Sequence, residues 1–219
     1  MGVLILGDVH GCYHTLKALI RERWRPEEDN LVLVGDLINK GPHSVKAFKY
    51  WLKLKTLHPQ KVILIRGNHE QWFLENYRHN ARTRSFQALC TAFQNAGLNP
   101  RDVAREISRL PLHWESEHLF VSHAGLSEAA LDPFDPSDLN GLLKNRKTLK
   151  RLSKVQVIGH NIISAGKPLF KPNENAWYVD TGAWCNQFLS ALHFNLGSSI
   201  PKVYQMARKP KDELPISVK

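Results

Sequence analysis

Within residues 1–70 a short apolar run ends three times in a glycine-bearing polar loop, and each loop opens a stretch of helical periodicity. Val3–Leu6 runs into GDVHG at 7–11, after which Cys12, Leu16, Leu19 and Ile20 fall on one helical face until Pro26. Leu31–Val34 runs into GDLINKGP at 35–42 and a helix around Ser44–Leu54. Val62–Ile65 runs into RGNHE at 66–70 and a helix starting near Glu70. Strand, loop and helix in repetition imply an α/β architecture with parallel pairing. In such a sheet the residues just past the strand C-termini collect along one edge, where ligands bind.

The rest of the chain is less regular. Residues 80–110 read as helical, His118–Val121 as a strand entering SHAG, 138–152 as a helix, and Val155–Ile158 as a strand entering GHN. From 168 the pieces PLF, WYVD, FLSALHF and KVYQM read as a closing β meander, and 208–219 as a loose tail. With 219 residues, 42% of them hydrophobic, and no Gly/Ser/Pro-rich linker, the expectation is one domain over 1–219. The apolar runs are strand-sized, which excludes a membrane helix. A net charge of +10 favours anionic partners, including phosphates, nucleotides and RNA along a basic surface. Three cysteines, Cys12, Cys90 and Cys185, without CxxC spacing argue against a disulfide framework and for the reducing cytoplasm. No secretory leader is expected from the first residues, and the oligomeric state stays open.

Five strand ends deliver ligand-type residues: Asp8 with His10, then Asp36, Asn68 with His69, His123, and His160. Oxygen and nitrogen donors without thiolate suit manganese, iron or zinc. Six donors (Asp8, His10, Asp36, Asn68, His123 and His160) exceed one tetrahedral zinc. They suit two metals sharing a carboxylate and a water.

GDVHG, GDLINKGP, RGNHE, SHAG and GHN, in this order, resemble the signature of the phosphoprotein-phosphatase type of calcineurin-like metallophosphoesterase, from Gly7 to about Ala191. The resemblance implies an αββα sandwich with a dimetal site at the strand C-terminal ends. It implies Asp8 and His10 on one metal, Asp36 bridging, and Asn68, His123 and His160 on the second. Manganese is the first expectation, with iron, zinc, cobalt and nickel as alternatives. A metal-bridging hydroxide would attack phosphorus while His69 protonates the leaving oxygen. Lys40, Arg66 and Arg146 are the cations assigned to the phosphate.

Protein phosphatases of this family carry GDxVDRG, whereas here Asn39 and Lys40 stand at the second Asp and the Arg. A neutral amide orients a ring but does not stabilise an imidazolium. Weak acid assistance suits a leaving nucleotide phosphate, whose second pKa is about 6, better than a serine alkoxide. The Asn39–Lys40–Gly41–Pro42 run and DTGAWCNQFLSALHF at 180–194 resemble the bacterial symmetrical diadenosine tetraphosphatase (ApaH-like) group. The resulting expectation is a bis(5'-nucleosyl)-tetraphosphatase. RGNHEQ and the KPLF…YVDTGA stretches also resemble the lambda-type protein phosphatase, so a serine/threonine or tyrosine phosphatase is the alternative. Of the residues outside the motifs, His43 and Trp184 are the ones placed where they could reach substrate.

Overall fold

Each of the three repeated runs forms a parallel strand that delivers its loop into a helix. The computed structural model describes residues 2–185, 187–195 and 197–213. In it β1 (Gly2–Leu6) leads to α1 (Tyr13–Arg23), β2 (Asp29–Leu33) to α2 (Ser44–Leu57), and β3 (Val62–Leu64) to α3 (Asn68–Arg78). Then come α4 (Arg84–Asn95) and α5 (Pro100–Ser108). The second sheet is built from β4 (His113–Glu115), β5 (Leu119–Ser122), β6 (Val155–Ile158), β7 (Leu169–Lys171) and β8 (Ala176–Tyr178). Its order is β4-β5-β6-β8-β7, with β5, β6 and β8 parallel and antiparallel strands at both edges. Finally β9 (Phe188–Asn195) and β10 (Lys202–Ala207) return to the first sheet, whose order becomes β10-β9-β1-β2-β3.

Alternation along the strands builds two cores. Leu4, Leu6, Leu31, Leu33 and Leu64 face the helices, where they join Leu16, Leu19, Phe48, Trp51, Phe73, Phe93 and Ile107. Val3, Ile5, Val32 and Val34 face the other way and meet Val121, Val155, Val157 and Val179 of the second-sheet side. Both faces of β1 and β2 are therefore buried, which is why VLIL and LVLV are uninterrupted apolar runs. This closure lines up the C-terminal edges of the two sheets. No described helix is long and apolar enough to cross a membrane.

Three departures from the sequence reading have local causes. Residues 138–152 are turns, not a helix. There Asp138 accepts the N–H groups of Leu131, Asp132 and Asn140, and Asn145 accepts that of Lys147. Such side-chain bonds compete with a helical ladder. The late strands do not form one meander, because the chain crosses from the second sheet to the first between β8 and β9. Edge strand β4 is a three-residue piece, too short for its sequence to show a strand repeat.

The start of the expected tail is docked. Asp212 is fully buried, in a short turn of helix over Pro210–Asp212. Its Oδ1 accepts from the His14 N–H at 3.0 Å, and its Oδ2 accepts from the Thr15 N–H and hydroxyl at 2.7 and 2.6 Å. Cys12, at the N-cap of α1, provides no side-chain cap. The open N–H groups of the first turn are satisfied instead by a carboxylate from the far end of the chain. The expected tail residues 214–219 lie outside the described residues.

Candidate metal centre

The loops after β1, β2, β3, β5 and β6 converge on the carboxylate of Asp36. Its Oδ2 lies 3.4 Å from His10 Nε2, 3.5 Å from His123 Nε2 and 4.0 Å from His69 Nε2. Asn68 Oδ1 meets His123 Nε2 and His160 Nδ1, each at 2.9 Å. Asp8 accepts from the His160 N–H with both oxygens, at 3.3 and 3.1 Å. Two groups of donor atoms result, His10–Asp36–His69 and Asp36–His123–His160, and they share Asp36. His10 Nδ1–H donates to the Ile38 carbonyl and His123 Nδ1–H to the Val34 carbonyl. Each bond leaves the Nε2 lone pair directed at Asp36, the arrangement by which a backbone carbonyl sets a ligating histidine.

Close backbone packing builds these loops. His10, Asp36, Asn39, Lys40 and His160 all have positive φ, between 45° and 73°. Left-handed backbone at residues other than glycine is costly and persists only where the surroundings enforce it. The enforcement is visible at Gly159, where a Cβ would overlap Asp8 Oδ1, and at Gly67, where it would overlap Asp36 Oδ1. Glu70 is fully buried and accepts the N–H groups of Asp36, Leu37, Ile38 and Gly67. It holds the turn that presents Asp36 and Ile38.

The electrostatics call for cations. Burial, then Asp180 and Asp36, hold the Asp8 carboxyl well above its ordinary pKa. Burial, then Glu70, does the same to Asp36. Burial raises Asp180 to about 6. The imidazoles move the other way. Burial and His69 push His10 down to about 3, burial and Lys40 push His69 to about 4, and burial and Arg146 push His160 to about 4. His123 falls well below its usual value through burial and then His160. Neutral imidazoles among crowded, buried carboxylates suit divalent cations, which relieve the repulsion without adding a proton. Asp180 was not among the candidates from sequence. Its signal was the VD step after β8, the same strand-end position that marked the other loops.

The remaining candidates separate. Asn39 Nδ2 lies 2.9 Å from His69 Nδ1, while its Oδ1 accepts the Lys40 N–H at 2.9 Å. Lys40 Nζ stands 5.4 Å above the Trp184 ring, which meets His10 edge-on at 6.1 Å. Arg146 Nη1 donates to Asn161 Oδ1 at 2.9 Å, one residue past His160. Asn39, Lys40, Arg146 and Trp184 therefore border the cluster. Arg66, expected on the phosphate, also reaches the end of α5. Its Nη2 donates to the Ser108 and Leu110 carbonyls at 2.7 and 3.1 Å, and Nη1 donates to Gln71 Oε1 at 3.2 Å. The partial negative charge at that helix C-terminus accounts for the placement. His43 Nε2–H donates to the Lys211 carbonyl at 2.7 Å, and the residue also lines the open groove beside the Asn39–Lys40 loop.

Known proteins share this chain's sequence pattern and its fold. The symmetrical bis(5'-nucleosyl)-tetraphosphatase of Erwinia tasmaniensis is 30% identical over 130 residues, covering 58% of this chain and 45% of that protein. The PP2A-like serine/threonine-protein phosphatase PPG1 of Candida albicans is 38% identical over 68 residues, covering 31% of this chain and 16% of that one. The chain thus spans less than half the length of these relatives in its matches. A crystal structure described as a candidate diadenosine tetraphosphatase superposes with a TM-score of 0.66 at 22% identity, covering 95% of each chain, and shares the fold. The calcineurin-like phosphoesterase pattern matches residues 1–190, and the chain belongs to that family.

Proposed function

We propose that this chain is a metal-dependent hydrolase of phosphoanhydrides, acting on dinucleoside polyphosphates in the manner of a symmetrical tetraphosphatase. Asp8, His10 and Asp36 would hold one divalent cation, manganese in the first instance, and Asp36, Asn68, His123 and His160 a second. Two such ions supply charge for the phosphoryl oxygens and make water acidic enough to react at neutral pH. Lys40 and Arg146 flank them with fixed positive charge for the outer phosphates.

The observation that carries the substrate reading is the hydrogen bonding of Asn39. Because its Oδ1 accepts the Lys40 N–H, its amide NH2 faces His69. His69 Nδ1 then accepts, and the ring proton sits on Nε2, on the side of Asp36; this tautomer follows from the hydrogen-bond network. Such a ring donates a hydrogen bond to a leaving oxygen. It does not readily release its proton, and burial with Lys40 nearby keeps the imidazolium scarce at neutral pH. A leaving group that departs unprotonated, a nucleotide phosphate, fits this site better than an alkoxide. Beside the same loop an open groove of about 530 Å³ is lined by Lys40, Val45, Lys46, Ala88, Leu89 and Ala92. Its apolar wall and two lysines suit a nucleoside and its phosphate.

Steady-state kinetics with manganese test the reading, with diadenosine tetraphosphate against a phosphoserine peptide and Asp36→Asn as control. A kcat/KM preference for the dinucleotide, abolished in the control, is the expected result. Preference for the peptide would favour the second reading, a serine/threonine phosphatase, which the PPG1 match supports. The free thiols of Cys12, Cys90 and Cys185 support the cytoplasm as its compartment.

A further inference from the structure

A second group of ligand-type side chains lies apart from Asp36. His14 in the first turn of α1, His43 at the N-cap of α2 and Asp212 in the docked segment each offer one donor atom, all within 4.8 Å of one another. Three distant parts of the sequence meet here. His14 and His43 pack edge to face, with ring centroids 5.1 Å apart.

The details favour ligation. His43 Nε2–H donates to the Lys211 carbonyl at 2.7 Å, which fixes the tautomer and leaves the Nδ1 lone pair free. This is the carbonyl-to-imidazole support also seen at His10 and His123. Asp212 is fully buried, and its Oδ1 takes one donor, the His14 N–H, so a lone pair remains. Among the described residues the ring of His14 makes no hydrogen bond. Burial lowers the His14 pKa, and among the charges facing it His43, Lys46 and Lys211 act in the same direction while Asp212 opposes them.

We infer that His14, His43 and Asp212 form a separate binding site for a zinc-class divalent ion. Two imidazoles and one carboxylate match zinc and disfavour calcium or magnesium, which take all-oxygen shells. Three protein ligands leave one position for water. The ion would staple segment 208–213 to α1 and to the loop that carries Asn39 and Lys40. The proposal is independent of which phosphate bond the enzyme cuts.

Equilibrium dialysis against zinc, followed by metal analysis, tests it. Full-length protein is expected to hold one equivalent more than the His14→Ala/His43→Ala double variant. Asp212 is left intact because it caps α1. Zinc should also slow amide exchange over 208–213 in the unmodified protein and leave it unchanged in the variant. Equal zinc content in the two proteins, or equal protection of 208–213, overturns the site. Should the double variant misfold, His14→Ala alone, on a half-exposed ring, is held to the same two outcomes.

Discussion

Asp8, His10 and Asp36 reach the metal cluster from loops that run directly into amphipathic helices, and Asn68 and His69 from the first turn of α3. His123, His160 and Asp180 reach it from strands whose outer side is covered by irregular chain. The first group rests on a core that extends through α1 to α5. The second is backed by the small cluster of Leu149, Ile158, Ala176 and Tyr178. The lesson is one of division of labour. One sheet supplies a rigid set of ligands and the other closes over it, and Asp36 lies within 3.5 Å of histidines from both sides.

The strongest challenge to that picture is Asp36→Asn. Weakening the shared carboxylate should lower kcat/KM by at least about 10³-fold, about 4 kcal/mol of transition-state stabilisation. A loss under tenfold would mean that the two sides work separately. Metal removal comes next. At a metal concentration of 100 times Kd, binding adds about 2.7 kcal/mol of stability. Chelation should therefore lower Tm, and amide exchange should rise more over 124–152 and at His160 than over β1 to β3. Equal loosening would erase the distinction between the sides. The pH dependence has a definite sign. Asp180, raised to about 6, must lose its proton for the cluster to carry its full negative charge. Metal affinity should therefore fall as pH drops through about 6, as chelator competition between pH 5 and 7 would register.

Smaller effects sharpen the contrast. Arg146→Ala, on the second-sheet side, should raise KM for a polyphosphate by about tenfold, the equivalent of about 1.4 kcal/mol. Arg66→Ala should cost about 1–2 kcal/mol of stability, measured by urea unfolding, and leave kcat nearly unchanged. The reverse pattern would restore Arg66 to the phosphate. The smallest change is expected from Asn39→Asp. A carboxylate facing His69 Nδ1 favours the imidazolium, so turnover of a phosphoserine peptide should rise several-fold relative to the dinucleotide. An unchanged ratio would remove Asn39 from substrate selection.

The same division explains what the sequence revealed. Each first-sheet strand is followed at once by its loop and helix, so periodicities of 2 and 3.6 alternate within about 30 residues and the ligands stand at the switch. On the second-sheet side the information is long-range. Leu142 is placed by a bond from the Ala124 N–H and Lys150 by one to the Leu126 carbonyl, and no helical repeat marks either. The lysines and leucines of 138–152 have the composition of a helix. Asp138 overrides it through bonds to nearby N–H groups, and Asn145 also through a bond that it donates to the distant Ala124 carbonyl. Arg66 shows what motif reading leaves out. Its place before GNHE suggested a phosphate, and only the position of α5 reveals its carbonyl partners. Asp212 was illegible for the same reason, because its partner is almost 200 residues away.

That last contact bears on how the protein is made. β1 lies between β2 and β9, and the first turn of α1 is capped from residue 212. On a ribosome adding roughly 5–20 residues per second, Thr15 emerges about 10–40 s before its partner. One edge of β1 stays unpaired until β9 is made, and α1 stays open at its start until Asp212 follows. β1 and the start of α1 are made before both of these partners and are thus among the last parts of the fold to be completed, so they need shielding during synthesis.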